Sequence, residues 1–129
     1  MAQIISADAA MAAAERAMLR PFAWGVADCC TAACGAFAEL HGLDPMAHWR
    51  GYRTAREAHR NLGRDPAGTI RETLERAGLV EGTAIGGIGL TLHKDRPSLL
   101  LCVGPNRWAG KTQNGLAILR ASVMDYRIA

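Results

Sequence analysis

Small and aliphatic residues recur at helical spacing through the first 80 positions of the chain. Beyond position 81 they give way to short aliphatic runs broken by glycine. Ser6 precedes an alanine-rich segment and predicts a capped helix to about Leu19, which Pro21 prevents from continuing. Asp28 predicts the cap of a second helix running to His41, with Gly42 as its stop. Asp44-Pro45 pairs a cap with a proline at the first helical position and opens one short turn. Thr54 and Glu57 form a capping box for a helix to about Leu62, ended by Gly63. Asp65-Pro66 repeats the start signal; the helix it opens carries Ile70, Leu74 and Ala77 on one face and stops at Gly78.

In the second half, residues 85–92, 99–103 and 116–119 read as strands, the last entered through the turn signal Asn114-Gly115. A fourth short element is expected near 123–128, and residues 108–114 read as an exposed hairpin loop. Helices followed by a small antiparallel sheet predict an α+β fold, in a single domain over residues 1–129.

Composition narrows the classes of function. A chain of 129 residues with 50% apolar composition is long enough for one core and is not disordered. It contains no run long enough to cross a membrane, so no membrane insertion is expected. The first five residues carry no basic charge, and Asp8 and Glu15 interrupt the apolar segment that follows, so no signal peptide is expected. A net charge of +3 permits an acidic partner without calling for nucleic acid. Four cysteines, three of them within six positions, fit a reducing environment better than a disulfide framework.

The chemistry concentrates at Trp24-Gly25-Val26-Ala27-Asp28-Cys29. A thiol in the first turn of a helix lies where unpaired N–H groups and the helix dipole favour thiolate, which makes Cys29 the candidate nucleophile and Asp28 its helix cap. Positions 32, 33, 35, 36 and 38 are Ala or Gly, so this helix can pack closely against its neighbours. Phe22 and Trp24 either form the wall of a peptide groove or hold the loop down, and Tyr126 is similarly ambiguous.

A thiol nucleophile also needs a base. His41 lies 12 residues along the same helix, about 18 Å from Cys29 at 1.5 Å per residue, and His48 and His59 have no orienting partner. His93 is the remaining histidine and the one weak candidate.

Cys30 and Cys34 share a helix face, but no paired knuckle spacing accompanies them and Cys102, so neither a metal nor a cofactor is expected. Gly110-Lys111-Thr112 lacks the first glycine of a phosphate loop, because position 105 is Pro105. Arg53, Arg56, Arg60 and Arg64 are spaced three, four and four apart, with Arg50, His48 and His59 nearby. They make either an ordinary solvated face or a cationic surface for an acidic partner protein.

The segment from Pro21 through Cys29 resembles the nucleophile motif of phage and prophage proteins related to NlpC-type cell-wall cysteine endopeptidases. Gly42-Leu43-Asp44-Pro45, Arg50-Gly51-Tyr52, Gly104, Asn114-Gly115-Leu116 and the terminal Tyr126-Arg127-Ile128 resemble the phage family more closely than the peptidases. The likeness is strong over residues 18–62 and looser beyond. It implies a circularly permuted papain-like fold, in which a nucleophile helix packs on an antiparallel sheet, and a gene lying among tail genes. In the peptidases the catalytic histidine opens the second strand; here that position is Ser98, and serine is no general base for a thiol.

Two expectations follow from the resemblance. The first is a tail or tail-assembly component on a degenerate peptidase fold, with other phage tail proteins as partners, found in the virion tail or in the host cytoplasm during assembly. The second is an endopeptidase or amidase that cleaves peptidoglycan stem peptides through Cys29.

Overall fold

A computed structural model describes residues 4–93, 96–120 and 124–128, and of His93 the backbone alone. Four helices precede most of the sheet: α1 (Ala7–Met18), α2 (Cys29–His41), α3 (Ala55–Leu62) and α4 (Pro66–Arg76). Six strands follow: β1 (Leu79–Glu81), β2 (Ile88–His93), β3 (Arg96–Gly104), β4 (Arg107–Thr112), β5 (Gly115–Leu119) and β6 (Met124–Ile128). They form one antiparallel sheet in the order β1-β6-β2-β3-β4-β5, so the fold class is α+β.

The helix boundaries follow side-chain chemistry. Ser6 accepts a hydrogen bond from the Ala9 N–H, Thr54 from Glu57, and Asp65 from Gly68, each satisfying a donor that the first helical turn leaves free. Gly42 adopts a left-handed conformation with φ of 75° and ends α2.

The core is built on small residues. Ala10, Ala13 and Ala14 of α1 and Ala32, Ala33, Cys34 and Ala36 of α2 are all buried, which brings the two helix backbones close together. Against them pack Ile88, Leu90, Leu99, Leu101, Val103, Ala109 and Tyr126 from the sheet, with Ile70 and Leu74 from α4. A separate cluster joins Leu100, Cys102 and Trp108 to Ile85. Tyr126 is fully buried, so it is a core plug rather than a surface ring.

Two expectations about the sheet need correction. Residues 108–114 are not an exposed loop: Trp108 to Lys111 are buried in β4, and the β4–β5 turn is confined to Gln113 and Asn114. Lys111 tolerates burial because its ammonium donates to the carbonyls of Met18 and Arg20, both at 2.7 Å, tying the end of α1 to the sheet. Gly110 lies so close to Leu100 that a Cβ would meet its methyl at 2.6 Å. The second correction is β1, which begins the sheet at Leu79 and pairs with β6. The 85–92 strand begins instead at Ile88, because Gly86 and Gly87 form a turn bonded to Ala84 and Cys102. Of the element expected near 123–128, residues 124–128 form β6 and Val123 lies outside the described residues.

Candidate functional site

The segment before α2 folds back on itself, with Ala23 and Ala27 bridged and the Ala27 N–H donating to the Ala23 carbonyl at 2.8 Å. Gly25 makes this turn with φ of 73°. It also lies directly beneath the 50–52 segment: the Gly51 N–H donates to the Gly25 carbonyl, and a Cβ on Gly25 would stand 2.2 Å from the Tyr52 carbonyl oxygen. Gly25 therefore lets two backbones touch.

Asp28 joins this turn to the helix. One carboxylate oxygen accepts from the Cys30 and Thr31 N–H groups, both at 2.9 Å. The other accepts from the Gly25 N–H at 2.8 Å and from the Tyr52 hydroxyl. Thr31 returns the bond by accepting from the Asp28 N–H at 2.8 Å, completing a capping box. With 1% exposure and four donors on two oxygens, Asp28 is a structural carboxylate whose acceptor sites are filled. The Tyr52 phenol, desolvated and donating to that carboxylate, is pushed well above its ordinary pKa and stays protonated.

Arg50 fastens the other side of the frame. Its guanidinium pairs with Asp44 at 2.6 Å and donates to the carbonyls of Val26 and Thr31. It therefore does not belong to the exposed cationic neighbourhood expected for it. Tyr52 and Arg50 hold residues 26–31 from more than 18 positions away, and only the Arg50-Gly51-Tyr52 likeness hinted at a role for them.

Cys29 occupies the first helical position and is partly exposed; Cys30 and Cys34 are buried. The Cys29 and Cys30 sulfurs lie 4.0 Å apart. The neighbouring Cys30 thiol contributes most to favouring the Cys29 thiolate, with smaller contributions from the Ser98 side chain and the Cys30 backbone. Together they hold the Cys29 pKa below the ordinary thiol value, against its burial and the neighbouring Asp28 charge. Cys30 shows the opposite: donation to Cys29 and full burial keep its proton on.

The Cys29 alkylation rate is therefore expected to reach half its plateau at a lower pH than that of an unperturbed cysteine. Removing a donor in Cys30→Ala or Ser98→Ala destabilises the thiolate, raises that midpoint and slows alkylation at neutral pH. Iodoacetamide kinetics against pH check this; an unshifted profile in both variants would contradict it.

No imidazole is among the described groups acting on Cys29. His41 is turned to the far end of α2, where Nε2–H donates to the Gly86 carbonyl at 2.9 Å and the ring packs on Phe37. His48 and His59 are exposed. The His93 side chain lies outside the described residues; its backbone pairs with Arg96 at the end of β2.

Asp28, Cys29 and Cys30 present ligand atoms within 4.8 Å of one another, but both Asp28 oxygens are already engaged by donors. Cys102 lies in the separate cluster with Leu100 and Trp108, so it does not join Cys30 and Cys34. Phe22 and Trp24 pack edge to face with centroids 4.9 Å apart, Trp24 being exposed beside the turn. A groove of about 620 Å³ opens between the 43–49 segment and α4; Asp44, His48, Glu72 and Arg76 line it, and Cys29 does not.

The arginines do not form one continuous helical stripe. α3 carries Arg56 and Arg60, Arg53 precedes the Thr54 cap, and Arg64 follows the break at Gly63. All four side chains are exposed, and no ion pair engages them among the described residues.

No helix among the described residues is long and apolar enough to cross a membrane. Neither the curated proteins nor the solved structures gave a match to this chain. One family model, described as "Domain of unknown function (DUF6950)", matches residues 6–127, nearly the full length, and the chain belongs to that family.

Proposed function

We propose that this protein is a phage tail or tail-assembly component built on a degenerate papain-like, circularly permuted peptidase fold. The observation that carries the reading is that no imidazole is among the described groups acting on Cys29, while Ser98, at the position where the resembled peptidases have histidine, is one of the side chains that lower its pKa. Acyl transfer needs proton delivery to the leaving amine, and a hydroxyl of ordinary acidity does not supply it at neutral pH. The nucleophile segment is instead invested in structure, with Asp28 saturated by donors and Gly25 held against Tyr52. An α+β domain with α2 packed on β3 and β4 agrees with the proposed ancestry.

The partner surface in this reading is the exposed arginine set around α3, which fits an acidic patch on another tail protein, in the virion tail or in the host cytoplasm during assembly. The triple variant Arg53→Glu, Arg56→Glu, Arg60→Glu is expected to fold normally, since α3 buries no residue, yet to lose co-purification with tail complexes. Undiminished association of the folded variant would remove the surface from the account.

A second reading, a cysteine endopeptidase or amidase acting on stem peptides of peptidoglycan, is favoured by one observation: Cys29 is partly exposed and its pKa is lowered. A thiolate supplies the nucleophile but not the acid.

A further inference from the structure

Three of the four cysteines stand in the first turns of α2, and two of them touch. Cys29 is reachable from solvent, Cys30 is buried directly behind it, and their sulfurs are 4.0 Å apart. Among the described residues no imidazole acts on this pair to serve peptide cleavage, but the pair has what oxidation by a peroxide needs. Attack on an O–O bond requires a thiolate and releases a hydroxide or alkoxide that water can protonate, so no positioned acid is required.

We propose that Cys29 and Cys30 form a peroxide-responsive dithiol, in which Cys29 is oxidised by a hydroperoxide to the sulfenic acid and Cys30 resolves it to a disulfide between adjacent residues. In the first step the Cys29 thiolate sulfur bonds to one peroxide oxygen, the O–O bond breaks, and the leaving oxygen takes a proton from solvent to become water or an alcohol. In the second, the Cys30 thiol gives up its proton, its sulfur bonds to the Cys29 sulfur, and the S–O bond breaks with departure of water. Two electrons pass from the two sulfurs to the peroxide, and the books balance with the hydroperoxide as the sole oxidant.

The position of the pair gives the product a structural consequence. Consecutive Cα atoms stand about 3.8 Å apart across a trans peptide, closer than the 4.4–6.8 Å of ordinary disulfides, so this bond is strained and readily reduced. Closing it must bring the sulfurs in from 4.0 Å and turn the Cys29–Cys30 peptide away from helical geometry. The Cys30 N–H is one of the four donors on Asp28, whose other partners are Thr31, Gly25 and Tyr52. Oxidation therefore strikes the cap that fastens the 21–28 turn and the 50–52 segment to α2. The proposal stands apart from the tail-component reading, because it requires neither peptidase activity nor a tail partner.

The test is stoichiometric hydrogen peroxide on the purified full chain, followed by mass spectrometry with and without dimedone. The wild type is expected to lose two hydrogens on the peptide holding Cys29 and Cys30, to do so equally in Cys34→Ala, and to recover with dithiothreitol. Cys30→Ser should stop one step earlier, gaining one oxygen at Cys29 and accumulating about tenfold more dimedone adduct than the wild type. Cys29→Ser should consume peroxide about tenfold more slowly, as expected when the thiolate-rich cysteine is removed. Circular dichroism verifies that each variant is folded, and the wild-type and Cys34→Ala masses stand without the serine variants. Accumulation of the Cys29 dimedone adduct in the wild type, or loss of the disulfide in a folded Cys34→Ala protein, would overturn the proposal.

Discussion

Asp28→Ala is expected to remove about 4 kcal/mol of folding stability, a large share of the roughly 5–15 kcal/mol that holds a domain folded. Loss of an N-cap side chain costs about 1 kcal/mol in most helices. Here the same carboxylate also satisfies the Gly25 N–H and the Tyr52 hydroxyl, and Asp28 is 1% exposed, so water cannot replace it without opening the turn. Each buried donor left without a partner adds about 1–3 kcal/mol. Tyr52→Phe removes one donor while the carboxylate keeps three, and should cost only about 1 kcal/mol. Urea unfolding gives both numbers through the shift in midpoint at constant slope. If Asp28→Ala fell within about 1 kcal/mol of the wild type, Asp28 would be an ordinary surface cap and the account of this segment would be wrong.

Gly25→Ala should be nearly as damaging, at about 3–4 kcal/mol. An L-residue in the left-handed region costs about 1–2 kcal/mol, and forcing atoms into a filled space adds about 1–3 kcal/mol. The space is filled by backbone: the new Cβ would lie 2.2 Å from the Tyr52 carbonyl oxygen and 2.7 Å from the Tyr52 nitrogen, so no rotamer change can relieve the contact. Gly42→Ala provides the comparison. Gly42 has φ of 75° but nothing within 4 Å of its missing Cβ, so only the conformational cost of about 1–2 kcal/mol remains. Thermal unfolding of the two variants side by side isolates the close approach; equal losses would show that the 50–52 segment yields freely.

These residues also mark how far the sequence is legible. Ser6, Asp28, Thr54 and Asp65 announce their helices because capping is local, acting within three residues. β4 was hidden because its burial is decided elsewhere. Its pattern Trp-Ala-Gly-Lys-Thr shows no alternation, and Lys111 lies inside only because α1 ends nearby with free carbonyls. β1 is three residues long and takes its identity from β6, nearly fifty positions later. At the site, Cys29 and Asp28 were visible from the motif. The frame that holds them was not, because Tyr52 and Arg50 act across the fold and their neighbours in sequence read as part of a cationic face. The influence of Ser98 on the Cys29 thiol links β3 to the start of α2, and only a family resemblance, not any local pattern, pairs those two positions.

In the proposed function, this site keeps the nucleophile position of the resembled cell-wall peptidases without their chemistry. Incubating purified peptidoglycan with the wild type and with Cys29→Ala, and measuring released stem peptides, tests it most directly. The account predicts equal and negligible release by both proteins. Release by the wild type that Cys29→Ala abolishes would contradict it and establish the peptidase reading in its place.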